Sequence, residues 1–183
     1  MKKMMLLLAG LVALTACSQS KQATKESTSN QTTKETKVSE SSKDKEEKGL
    51  KFVVAPQYEG KTSDLIELGK KLVKEHPELG SEGNMALYFT GAISEGRAAL
   101  MLVNKTDVDI KKDLNFSISW SYDGKTIFDN QKVSYFIKDS GELPSHTATM
   151  ILLPLNEEQM KIVDGMSDPS KMVLRMSDVN AVE

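Results

Sequence analysis

From Leu114 to Ser121 apolar and polar side chains alternate without a break: Leu114, Phe116, Ile118 and Trp120 against Asn115, Ser117, Ser119 and Ser121. Successive side chains of a strand point to opposite faces, so a period of two means a strand with one packed face and one wet face. Asp123-Gly124 follows at once as a hairpin signal, and Thr126–Phe128 begins a return strand. No other stretch narrows the fold class as far.

The flanking chain repeats this logic. Leu50–Ala55 is a short β-prone run stopped by Pro56. Leu65, Ile66, Leu68, Leu72 and Val73 then recur at helical spacing, with Thr62 or Ser63 able to cap the helix and Pro77 ending it. Glu67 and Lys71 stand four apart in the favourable order. After Gly83 the pattern turns β. Met85–Ile93 alternates, with Leu87 and Phe89 on one face and Ala86, Tyr88 and Thr90 on the other, and Ser94-Glu95-Gly96 turns it. Arg97–Val103 is strongly apolar, suited to a central strand. Val108–Lys112 reads as a connection. Val133, Tyr135 and Ile137 alternate again, Ser140–Pro144 turns, and His146–Leu155 forms another apolar strand. Asn156 caps a short helix ending near Gly165, and Lys171–Ser177 supplies a last strand. Seven or eight short strands with frequent turns predict a mainly β fold, an antiparallel immunoglobulin-like β-sandwich with one or two short helices.

The N-terminus is of another kind. Lys2-Lys3 precedes an apolar run from Met4 to Ala16, too short for the roughly 20 residues that span a bilayer. The run closes on Leu14-Thr15-Ala16-Cys17, which resembles the lipobox of a bacterial lipoprotein signal peptide. The resemblance implies that residues 1–16 are cleaved, that Cys17 carries a diacylglyceryl group, and that the chain is anchored at the extracellular face of the cell membrane. Cys17 is the only cysteine, so no intramolecular disulfide can form. Diacylation meets the need for more than one acyl chain in a stable anchor.

Residues 17–48 follow as a tether. Between Ser18 and Lys48 only Ala23 and Val38 are aliphatic, and seven lysines nearly balance six acidic residues. Such a stretch cannot bury enough apolar surface to fold, and as a coil it reaches roughly 30 Å. A long Ser/Thr/Lys tether after a lipobox is similar to lipoproteins of Gram-positive bacteria such as streptococci and enterococci.

Residues 49–183 are one domain's length. They hold 20 acidic against 15 basic residues, a net charge of −5, which excludes the basic footprint nucleic acid requires. Arg97–Val103, Asn104-Lys105-Thr106, the aromatic alternating strand, Asp123-Gly124 and Gly141–Pro144 before Thr147–Leu155 resemble immunoglobulin-like extracytoplasmic domains of Firmicutes, most of all the SLAP-type module. That resemblance implies two sheets over one core and an accessory role at the cell surface. It carries no site residues across, and no cysteine pair flanks Trp120.

Little in the domain points to chemistry. His76 follows a helix and His146 opens a strand, and with no cysteine beside them they are too few for a zinc site. Asp107, Asp109 and Asp113 lack the spacing of a calcium loop, and no Gly-x-Ser-x-Gly elbow or glycine-rich phosphate loop occurs. Glu157-Glu158 favours the start of its helix. Met85, Met101, Met150, Met160, Met166, Met172 and Met176 lie mostly in strands and read as core. Exposed-looking aromatics are too few to favour a glycan groove, with Tyr58, Tyr88 and Tyr122 the main candidates for one. The expectation is a non-catalytic binding or accessory module without cofactor or metal, contacting an envelope protein or wall component. A host-facing antigen, or an envelope hydrolase, is the alternative.

Overall fold

A computed structural model describes residues 49–182. The signal stretch 1–16, Cys17 and the tether 17–48 lie outside the described residues. Seven strands run in chain order: β1 (Lys51–Phe52), β2 (Met85–Ser94), β3 (Arg97–Asn104), β4 (Leu114–Tyr122), β5 (Lys125–Tyr135), β6 (Thr147–Pro154) and β7 (Met172–Ala181). Three helices join them: α1 (Asp64–Glu75), α2 (Ile137–Ser140) and α3 (Glu157–Asp164). Four strands form one sheet in the order β1-β6-β3-β2, and three form the other in the order β5-β4-β7. The fold is a mainly β sandwich.

The two sheets are buried differently, and the sequence patterns follow. β4 is the middle of the three-stranded sheet. Its Leu114, Phe116, Ile118 and Trp120 enter the main core with Leu100, Leu102 and Phe128, while its serine face joins a polar surface. On that face Ser117, itself fully covered, donates through Oγ to Asp178 Oδ2 at 3.0 Å and accepts from Lys132 Nζ at 2.9 Å, linking three strands. β3 is the middle of a sheet covered on both sides. Leu100 and Leu102 face the other sheet, whereas Met101 and Val103 face a second cluster with Val73 of α1. A strand buried on both faces reads as a continuous apolar run. Leu87 and Phe89 of β2 likewise join the main core, while Ala86 and Tyr88 join the helix side.

α1 starts where Ser63 Oγ accepts a hydrogen bond from the Ile66 N–H at 3.3 Å, and ends at His76 before Pro77. Glu67 pairs with Lys70 (3.1 Å) and Lys71 with Glu75 (3.9 Å), in place of the Glu67–Lys71 pair expected. All four side chains are half exposed or more, so each pair contributes only a few tenths of a kcal/mol. Asn156 and Gln159 form a full capping box at the start of α3.

β5 runs from Lys125 to Tyr135 as one strand that takes in both Thr126–Phe128 and Val133–Tyr135, with Asn130 in a left-handed conformation (φ 50°). Two expectations are corrected. Ile137 is not in a strand. Its N–H donates to Asp113 Oδ1 at 2.8 Å, and one helical turn follows, so the helices number three rather than one or two. The sandwich is also not wholly antiparallel, because β1 pairs with β6 in parallel, Lys51 opposite Thr147 and Phe52 opposite Ala148.

Candidate functional site

The sandwich closes along one side and stays open along the other. β2 and β7 approach at the closed side. At the other side β6 and β5 leave a cleft of about 560 Å³ between them. Its inner wall is Phe116, Val133, Ile151 and Leu153, and its outer wall is the segment from Phe52 to Tyr58 with Leu65 and Ile66 of α1. A second hollow lined by Phe128, Gln131, Pro154 and Gln159 shares Val133 and Leu153 with it, so the groove runs on towards α3. Pockets of this size, apolar with a few polar groups, are the ordinary form of a binding site.

The cleft exists because β1 stops early. Lys51 N–H donates to His146 O at 3.1 Å and Val53 N–H to Ala148 O at 2.8 Å, and Val53 O accepts from the Thr149 hydroxyl at 3.1 Å, after which the chain leaves β6. Pro56 opens a 3-10 turn over Pro56–Tyr58 and carries the chain across the cleft's end, where Gly141 packs against the Pro56 ring. Tyr135 closes the floor there. Its buried hydroxyl donates to Gly141 O at 2.9 Å, and burial pushes its pKa up to about 12. Two exposed aromatics belong to the same packed turns: Tyr58 ends the 3-10 turn and Phe136 precedes α2. Arg97 and Glu95, at the rim, pair with each other.

The residues singled out in the sequence do not meet there. Tyr88 accepts from the Gly80 N–H (2.8 Å), and Tyr122 from the Ser167 and Asp168 N–H groups (both 3.1 Å). Those two donors hold the Tyr122 hydroxyl below the ordinary tyrosine pKa. Only Tyr58 of the three lines the cleft, so they build no common groove. His76 Nδ1 lies 3.1 Å from Glu78. The His146 ring nitrogens are buried without a hydrogen bond, 3.8 Å from Glu82 and 3.7 Å from Asp107. Its neighbours Ser145 and Thr147 donate their hydroxyls to the Thr106 and Pro144 carbonyls, so neither forms a nucleophile–base pair with it. Asp109 accepts from the Ser145 N–H, which holds its carboxyl below the usual range, and Asp113 is spent on Ile137. Among the described residues no three His, Cys, Asp or Glu side chains converge to hold a metal ion. Met101 is fully buried and five other methionines are partly so, whereas Met150 lines the cleft.

Sequence reasoning missed the cleft. The one available signal was Pro56, which limits the first β-prone run to Leu50–Ala55 while the apolar run 146–155 is long enough to pair with more. No family model, curated protein or solved structure matches the chain.

Proposed function

We propose that this chain is a lipid-anchored binding module at the outer face of a bacterial cell membrane, acting without catalysis on an envelope protein or wall component. The observation that carries the binding role is the largely apolar cleft along the open edge of the sandwich, with the exposed Tyr58 in its lining. Apolar side chains gathered at one site on a domain of net charge −5 favour a protein partner over an anionic wall polymer. The anchor rests on Cys17 standing directly after the apolar run, and the tether 17–48 gives the domain a reach of roughly 30 Å from the membrane. The likeness of residues 97–155 to surface accessory domains supports the same setting.

Two measurements test this. Membrane fractionation of the native chain and of Cys17→Ala should place the first in the membrane and release or leave unprocessed the second. Retention of Cys17→Ala at the native level overturns the anchor. The full processed protein should then co-sediment with isolated cell walls that keep their surface proteins and not with stripped walls. Binding to both would indicate a wall polymer instead, and binding to neither would overturn an envelope partner.

A further inference from the structure

β6 is paired fully on one edge and only partly on the other. Along its β3 edge every residue from Thr147 to Pro154 has a partner, Thr147 opposite Asn104 through Pro154 opposite Arg97. On the opposite edge β1 reaches only Thr147 and Ala148. The donated bonds fix which groups point outward. His146 and Ala148 turn their carbonyls to β1, and the main-chain groups of one residue point to the same side of a strand. By the period of two, Met150 and Leu152 also turn N–H and C=O away from β3. Among the described residues neither makes a main-chain hydrogen bond on that side. Two donors and two acceptors therefore face the cleft, beside Ile66, Val133 and Ile151 and next to Thr149, whose hydroxyl donates to Val53 O at 3.1 Å.

We infer that the cleft binds an extended segment of a partner protein, added as a strand to β6 beside Met150 and Leu152. This rests on the binding role proposed above and specifies its chemistry. Unpaired main-chain groups in a row are a template for another strand, with affinity from the main chain and specificity from alternate side-chain pockets. β1 already demonstrates this pairing over Lys51 and Phe52, and the ladder stops after the Val53 N–H. From Thr149 to Pro154 the edge is about 17 Å long. Side chains of an added strand alternate between two apolar walls, Val133 and Ile151 on the inside and Ile66 with Leu152 on the outside. The segment it takes is accordingly extended, free of proline at its centre, and apolar on both faces over four or five residues. A polar glycan lacks this main-chain pattern.

The test uses the full processed protein and a capped peptide of alternating valine and isoleucine flanked by lysines. A twin peptide is N-methylated at alternate residues, which keeps the side chains and removes the donors facing β6. The parent should bind and the twin should bind at least about tenfold more weakly, since two hydrogen bonds are lost. Amide exchange should be fast at Met150 and Leu152 in the free protein and slowed by the parent peptide. Leu152→Pro removes an outward N–H without touching the β3 ladder and should abolish binding, while Leu152→Val should retain it. Equal binding of both peptides, no binding at millimolar peptide, or protection confined to other segments overturns strand addition. So does concentration-dependent dimerisation through β6, which would make a second copy the occupant. Wall co-sedimentation separates the two levels: walls that retain Leu152→Pro as well as the native chain overturn strand addition while leaving the binding role intact.

Discussion

The Asn104 side-chain nitrogen lies 3.0 Å from the Leu143 carbonyl oxygen, joining residues 39 apart in sequence at a site without solvent. The same nitrogen also faces the carbonyls of Val108 (2.9 Å) and Pro144 (3.1 Å), and Asn104 Oδ1 accepts from the Thr106 N–H (3.0 Å) and hydroxyl (2.6 Å). One carboxamide thus ties the end of β3 to the turn that launches β6, the strand carrying the open edge. Asn104→Ala should cost about 3 kcal/mol, because the buried Leu143 carbonyl and the part-buried Val108 and Pro144 carbonyls and Thr106 N–H lose their partner together. Asn104→Asp should cost more, since a carboxylate oxygen would face three carbonyl oxygens. Urea unfolding of the two variants checks both the size and the order.

Gly69 is a helix-interior glycine whose replacement should go against propensity. A Cβ there would lie 2.3 Å from the Phe52 ring, so α1 approaches β1 only because this side chain is absent. Alanine gains about 1 kcal/mol in an exposed helix interior. Here it forces Phe52 out of place at the wall of the cleft, and Gly69→Ala should lose about 1 kcal/mol net. In a Phe52→Ala background the same change should become stabilising. A Gly69→Ala variant more stable than the native chain would show that the ring moves at no cost.

Tyr135 and Tyr122 should separate in an alkaline absorbance titration. Tyr122 ionises below the ordinary value of 10.0 because two backbone N–H groups favour its phenolate, whereas burial holds Tyr135 protonated to about 12. The sign for Tyr135 follows from linkage. Below pH 10.0 it is protonated folded and unfolded alike, and its burial stabilises the fold in full. Between pH 10.0 and about 12 only the unfolded chain gives up the proton, so this contribution is lost as pH rises. Tyr135→Phe should remove the last titrating phase and flatten the fall in stability across that window. It should also cost about 1 kcal/mol at neutral pH for the lost bond to Gly141.

What could be read from the sequence was local. β4 declared its single wet face through alternation, β3 its central position through an unbroken apolar run, and both capped helices their starts through Ser63 and Asn156. What could not be read was relational. The polar run Asp129–Lys132 carries no strand pattern of its own, yet it belongs to the edge strand β5 and its four side chains face water. Ile137 continued an alternation that Asp113 ends by capturing its N–H from 24 residues away. The cleft depends on β1 being shorter than β6, a difference between two elements some 95 residues apart that neither sequence states alone.

Trp120, the only tryptophan, has an unusual balance of terms. It is 1% exposed and packs against Phe89 (4.9 Å between centroids) and Phe128 (6.0 Å), yet its indole N–H is buried without a hydrogen-bond partner. Its native emission should therefore be blue-shifted and resistant to iodide, shifting red only on unfolding. Trp120→Ala opens a large cavity between the sheets and should cost about 3–5 kcal/mol. Trp120→Phe opens a smaller cavity and at the same time removes an unsatisfied donor worth about 1–3 kcal/mol. The two effects offset, so the phenylalanine variant should lie within about 1 kcal/mol of the native chain. A loss as large as that of alanine would mean that the indole N–H is bonded in solution, to a buried water or to a neighbour that moves towards it.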